Sequence, residues 1–217
     1  MNQQIFPSWR QRLVRSLHVN RSQAQSKYYQ VASCSVSGKP SNRTMVFRGF
    51  ANGTDNLLSV TDKRSKKISD WTNDRFSNKQ YEICWYFAKT REQYRIAGEL
   101  TLVDKSVTEV EYQKLLEQSW ANLSENAQSS FFAEAPGTPF AETKPSQDNQ
   151  RNDVRTASID SKTDKNISEK TERFISDNFV LVIFRPYEVD YLNLRETPHL
   201  RVSSALSDNW EETRIFS

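Results

Sequence analysis

Extended segments separated by tight-turn residues recur at both ends of this chain, and they constrain it to a fold built from antiparallel hairpins. Tyr28 to Val36 places Tyr29, Val31, Ala32, Cys34 and Val36 in rough alternation; Ser37-Gly38-Lys39-Pro40 supplies turn chemistry, and Thr44 to Phe50 resumes the extended pattern. A second turn, Ala51 to Asp55, leads into a strand over Asn56 to Thr61. Tyr81 to Phe87 and Gln93 to Val103 follow, divided by the polar turn Ala88 to Arg91. Towards the C-terminus, Phe179 to Phe184 and Val189 to Leu194 read as strands, and Leu200 to Phe216 as two short ones. Strands grouped this way do not alternate with helices as a parallel α/β sheet requires. The expected fold is mainly β with peripheral helices. It is an antiparallel, Greek-key-like barrel, closed or nearly closed because closure removes exposed sheet edges.

Helical spacing is confined to a few places. Trp9, Leu13 and Leu17 recur about once per turn over Trp9 to Val19, with Arg10, Arg12 and Arg15 on other faces. Ile68 and Trp71 give a short helix over Ser65 to Asn73, with Ser65 as its N-cap. Ser106 and Glu109 form a capping-box pattern ahead of Val107 to Glu117, and Ser119 to Phe132 reads as a second helical stretch. Residues 141–178 shift to Lys, Asp, Ser, Thr, Asn and Gln, too polar to offset the entropy of ordering, and read as a surface insertion in a single domain spanning 1–217. Within it, Ser168 to Ile175 has a helical pattern.

Several function classes fall away. The longest apolar runs, such as Phe179 to Phe184, are far short of the roughly 20 residues of a membrane-spanning helix, so no membrane association is expected. Met1 to Trp9 has neither a basic nor an apolar leader region, and a cytoplasmic protein is expected. Cys34 and Cys84 are the only cysteines and have no metal-ligand spacing, which argues against a disulfide scaffold and a metal site. A formal charge of +3 makes a broad nucleic-acid footprint unexpected, so any basic site must be local.

One such site stands out. Thr61-Asp62-Lys63-Arg64-Ser65-Lys66-Lys67 ends a strand and opens a helix, and reads either as a solvated charged turn or as an anion site. Arg43, at the start of a neighbouring strand, can add a second charge to the same anion.

The segment Arg43-Thr44-Met45-Val46-Phe47-Arg48-Gly49-Phe50, with Thr61-Asp62, Ser65-Lys66-Lys67 and Glu92-Gln93, resembles the flavin-binding signature of the pyridoxamine 5′-phosphate oxidases. The resemblance implies a split β-barrel, a homodimer with its flavin site at the interface, and FMN as cofactor. By it, Arg43, Thr61, Ser65, Lys66 and Lys67 would hold the FMN phosphate and ribityl chain. Thr44, Met45 and Val46 would line the cofactor, the last two offering backbone to the ring. Gln93 would reach the flavin across the dimer interface, and Arg201 corresponds to a flavin-contacting Arg ahead of the last Trp, Trp210.

The chain departs from the family where substrate is held. Arg48 stands at a family Lys, Leu192 at an expected Trp, and His199 is the sole remnant of an Arg-His pair. Ser106 to Phe132 offers no match to the Tyr, Arg and Ser that grip the substrate phosphate. Arg201, His199 and Arg48 are therefore the catalytic candidates, and the substrate is open. An FMN-dependent oxidoreductase is expected, with two alternatives: a flavin carrier or redox sensor without turnover, and a nucleic-acid-binding barrel using Lys63 to Lys67 with the aromatics near Trp85.

Overall fold

The computed structural model describes residues 6–35, 37–72, 80–139 and 174–217. The polar insertion expected at 141–178 falls outside these up to residue 173, and so does most of the helix expected at Ser168 to Ile175.

The chain opens with α1 (Ser8–Val19), started by Pro7 and burying Trp9, Leu13 and Ser16. Nine strands follow among the described residues: β1 (Tyr28–Cys34), β2 (Pro40–Val46), β3 (Gly49–Phe50), β4 (Leu57–Asp62), β5 (Tyr81–Phe87), β6 (Glu92–Val103), β7 (Phe179–Asn193), β8 (Leu200–Ala205) and β9 (Glu212–Ile215). They form one antiparallel sheet in the order β2-β1-β5-β6-β7-β4-β3, with β8 branching from β7 and β9 from β8. No helix among the described residues is long and apolar enough to cross a membrane.

Two expected strands are one. Phe179 to Phe184 and Val189 to Leu194 belong to the 15-residue β7, which bends instead of turning. Its first half pairs with β4 and its second with β8, while β6 runs alongside both. The bend lies where the β6–β7 register slips at Ala97/Gly98, opposite Pro186. A Cβ placed on Gly98 would lie 2.5 Å from the Arg185 carbonyl oxygen and against the Phe184 ring, so only glycine permits the approach.

One expected strand is two. Thr44 to Phe50 breaks after Val46, because Gly49 takes a φ of +134° that turns the chain away from β1 and onto β4. Of the closed or nearly closed barrel expected from the hairpin pattern, the sheet is consequently not the fully closed form. Between β2 and β4 there is no ladder. The Ser59 hydroxyl donates to the Val46 carbonyl at 2.8 Å and shares a 2.5 Å hydrogen bond with the Tyr29 hydroxyl, zipping the seam with side chains.

One face of the sheet holds the main core. Trp85, Phe87, Tyr94, Ile96, Phe184 and Tyr191 pack there with α1. A second cluster packs Phe179 and Leu181 against α3 (Val110–Ala121), whose Trp120 meets Phe131 and Phe179 in edge-to-face contacts. α3 starts three residues later than expected because the Ser106 hydroxyl and amide both donate to Asp104, which leaves Glu109 at the cap position. The stretch Ser119 to Phe132 is not one helix: α3 ends at Ala121, and Ser124 caps the short α4 (Glu125–Ser129). The helix after β4, α2, runs from Lys66 to Thr72.

α1 is fastened to the sheet by a buried carboxylate. Glu92, 2% exposed, accepts from Arg15 at 2.6 Å, Ser16 at 2.7 Å and Tyr191 at 2.6 Å. Burial alone would raise its pKa, but the hydrogen bonds and the Arg15 charge outweigh burial and hold it low.

Two outcomes follow from these constraints. Gly98→Ala should lower stability by about 3 kcal/mol or more in chemical denaturation, since backbone must move to admit the methyl group; a loss below about 1 kcal/mol would show that the β6–β7 approach is not tight. Glu92→Gln should cost about 3 kcal/mol at neutral pH. The carboxylate's contribution should be fully present above the unfolded Glu pKa of about 4.3 and lost as pH falls through the lower folded value, so the two proteins' stabilities should converge in acid.

Candidate functional site

The turn from β4 into α2 sorts its basic residues by partner. Arg64 is spent: its backbone N–H and guanidinium donate to Asp62, and a second guanidinium nitrogen donates to the Ala133 carbonyl. Burial would raise the Asp62 pKa, but the Arg64 hydrogen bonds and charge bring it below the usual carboxylate range. Lys63 is spent too, on Asp104 at 2.6 Å, and that hydrogen bond comes first among the causes that hold the Asp104 carboxyl down at about 2. Lys66 points to solvent, 4.0 Å from Asp70, and does not join the site expected for it.

Lys67 turns inward. Its ammonium donates to Thr61 Oγ1 at 2.9 Å and to Ser65 Oγ at 2.7 Å. Ser65 stands immediately before α2, at the cap position expected from sequence, and its hydroxyl accepts from Lys67. Across the seam, Arg43 on β2 donates to the hydroxyls of Ser33 and Ser41, each at 2.5 Å, and lies 5.4 Å from the centre of the Trp71 ring. The two cations share one environment. Burial lowers the Lys67 pKa, and the nearby Arg43 charge lowers it further. Among the described residues no carboxylate hydrogen-bonds to either, while the Trp71 indole N–H is buried without a partner. Two half-buried, mutually repelling cations ringed by hydroxyls form a donor set that suits a dianion such as a phosphate.

The remaining candidates lie elsewhere. Thr44 is exposed; Met45 is buried in the core, and the Val46 carbonyl already accepts from Ser59, so its backbone is only partly available. Thr61 pairs with Val180 and Gln93 with Leu192, towards opposite ends of β7, so one chain does not bring Gln93 to Lys67. Tyr86, Gln93, Leu192, Arg201 and Ile215 form a row across β5, β6, β7, β8 and β9, on the face opposite the buried Trp85, Tyr94 and Tyr191. Arg201 is clamped there by Asp190, with contacts of 3.0 and 2.6 Å. His199 is exposed, and its Nδ1 lies 2.9 Å from the Glu196 carbonyl; neither places it at the cation pair.

Arg48 lines a separate cavity of about 380 Å³, with Lys27, Phe50, Gln118, Ser119 and Asn122 among its other walls. Sequence reasoning missed Lys27 and the α3 wall; the i, i+4 polar pair Gln118 and Asn122 was the available signal.

Residues 6–104 match the family model described as pyridoxamine 5′-phosphate oxidase, FMN-binding domain. Over 204 residues, covering 94% of this chain and 92% of the relative, the sequence is 31% identical to pyridoxine/pyridoxamine 5′-phosphate oxidase 2 of Arabidopsis thaliana. The chain belongs to the pyridoxamine 5′-phosphate oxidase family. FMN is its cofactor, and the paired cations are chemically fitted to the FMN phosphate. A pyridoxamine 5′-phosphate oxidase-related, FMN-binding protein of Nostoc punctiforme PCC 73102 superposes with a TM-score of 0.77 at 31% identity, over 99% of this chain and 100% of the other. PhzG of Burkholderia lata 383 shares the fold, with a TM-score of 0.59 at 15% identity over 95% and 90% of the chains. The chain has the split-barrel fold that the resemblance implied.

In this member of the oxidase family, Arg43→Ala combined with Lys67→Ala should weaken FMN binding by at least tenfold in a fluorescence titration, since each contact to a charged group is worth about 1.5–3 kcal/mol. FMN affinity of the unaltered protein should fall as pH rises through the lowered Lys67 pKa, earlier than for an exposed lysine. A flat profile and an unchanged double variant would place the phosphate elsewhere.

Proposed function

We propose that this protein is an FMN-dependent oxidoreductase that acts as a homodimer on a small anionic amine. The observation that carries the reading is the Arg43–Lys67 pair, whose mutual repulsion a bound phosphate would relieve. When bound, FMN supplies a ring able to accept a hydride from an amine or similarly reduced carbon.

The chain's own residues bind and orient. Lys67 and Arg43 hold the phosphate end, positioned by Thr61, Ser65, Ser33 and Ser41. Arg48 and Lys27 face the cavity and take the substrate's anionic group, while Phe47, Leu58, Leu115 and Leu123 exclude water from its apolar walls. Dimerisation is supported by the outer row: Gln93 and Arg201 lie far from their own chain's cation pair, and Tyr86 and Ile215 leave 47% and 36% of their surface uncovered beside them. A partner laid on that face would put its Gln93 and Arg201 to use. We place no catalytic role on His199.

The helical wall of the cavity carries Gln118, Ser119 and Asn122 and no cation, which leaves the anionic group to Arg48 and Lys27 alone. That observation favours a substrate other than pyridoxamine 5′-phosphate, and it is what supports the second reading, a flavin carrier without turnover. A nucleic-acid-binding role is poorly supported: Lys63 and Arg64 are committed to carboxylates, and Trp85 and Phe87 are buried away from any base.

The purified protein should be yellow and dimeric in light scattering. With pyridoxamine 5′-phosphate it should release hydrogen peroxide at less than about 0.01 per second, against an ordinary enzyme range of about 1–10³ per second. Turnover near 1 per second on that substrate would overturn the assignment of the cavity. A colourless protein that takes up no FMN would overturn the oxidoreductase reading itself, and a flavin that no amine bleaches anaerobically would favour the carrier.

A further inference from the structure

The segment from Phe47 to Phe50 walls the 380 Å³ cavity, yet little of the sheet holds it. β3 pairs with β4 through only Gly49↔Leu58 and Phe50↔Leu57, and Gly49 sits at a φ of +134°. A ladder this short needs an anchor from outside the sheet.

α1 supplies one. The Arg10 guanidinium lies between two aromatic rings, 3.7 Å from the centre of Phe6 and 4.1 Å from that of Phe50. Its Nε is 3.3 Å from Asp55 Oδ1, in the turn joining β3 to β4. The side chain is only 14% exposed, and neither Nε nor Oδ1 has a hydrogen bond in good geometry, so stacking and charge provide the hold. Phe50 passes the constraint inward through an edge-to-face contact with Phe47, which leans on Trp85 in the core.

We propose that Arg10 is a positioning residue for the substrate pocket: by clamping Phe50 and the β3–β4 turn it fixes the wall from which Arg48 meets the substrate's anionic group. The clamp ties the N-terminal segment to substrate recognition and leaves cofactor binding alone, because Arg43 and Lys67 belong to other elements. The inference rests on the reading of the cavity as the substrate pocket.

The test uses the FMN-loaded protein and benzoate, whose carboxylate and apolar ring match the cavity's cations and its Phe and Leu walls. Benzoate binding is followed by the change it causes in the flavin visible spectrum. Arg10→Met, which keeps a long apolar stem and removes the planar cation, should weaken benzoate about tenfold and leave FMN affinity within twofold. Amide exchange at Arg48 and Ala51, bonded to the Leu58 and Asn56 carbonyls, should speed up in the same variant. Arg10→Lys, retaining charge without the two-faced stack, should recover part of the benzoate affinity. Asp55→Asn, which spares the stack, should weaken benzoate by about threefold and serves if Arg10→Met does not fold.

Unchanged benzoate affinity in Arg10→Met, or a parallel fall in benzoate and FMN affinity, overturns the positioning role. If unaltered, flavin-loaded protein shows no response to benzoate, the pocket reading fails and the inference with it. Failure to take up FMN would instead strike at the proposed function.

Discussion

The architecture depends on one close approach, that of the Gly98 backbone to Phe184 and the Arg185 carbonyl. There β7 bends, so that a single strand serves two neighbours in turn: β4 along its first half and β8 along its second. A side chain at Gly98 would straighten or part the strands. The two halves would then no longer hold the turn after β4 and the Arg201 strand at their present ends of one continuous ladder.

The distribution of charge follows from that frame. Most cations around β4 and α2 are matched to carboxylates on short tethers, as Arg64 is to Asp62, and these pairs fix the turn without leaving charge to spare. Lys67 and Arg43 are different because they arrive from opposite sides of a seam that has no ladder and donate to hydroxyls, while Asp62 and Asp70 act on them only through charge at longer range. Their partial burial with no carboxylate in hydrogen-bond contact among the described residues raises the free energy of the free protein and is the kind of cost that persists where a ligand repays it. Arg201 shows the contrast, with its Nε and one terminal nitrogen held by the Asp190 carboxylate on the outer face.

Much of this was legible in the residues. Alternation and turn chemistry placed β1, β5, β6 and the C-terminal pair closely, because those strands have one buried and one wet face. β7 defeated the pattern at Arg185 to Glu188, where Pro186 looks like a turn and is instead accommodated opposite a bulge. Gly49 defeated it in the other direction, since an extended run does not disclose a positive φ within it. Of the candidate site, Arg43, Thr61, Ser65 and Lys67 were named from spacing and resemblance together, and the fold brings the last three into hydrogen-bond contact. Lys66 was not separable from Lys67 until the helix set which one faced inward. Lys27, Ser33, Ser41 and the α3 wall come from distant segments, and nothing local marks them.

The side-chain zipper between β2 and β4 gives the protein an unusual relation to its cofactor. Elsewhere neighbouring strands are joined by rows of amides; here Tyr29, Ser59 and the Val46 carbonyl do the joining. On the reading proposed above, a phosphate held by Arg43 on one side and Lys67 on the other lies across that same seam and acts as a staple. Cofactor loading and closure of the sheet then draw on one free energy, and the concentration of free FMN becomes a determinant of how long the chain survives heat and proteases as well as of how fast it turns over.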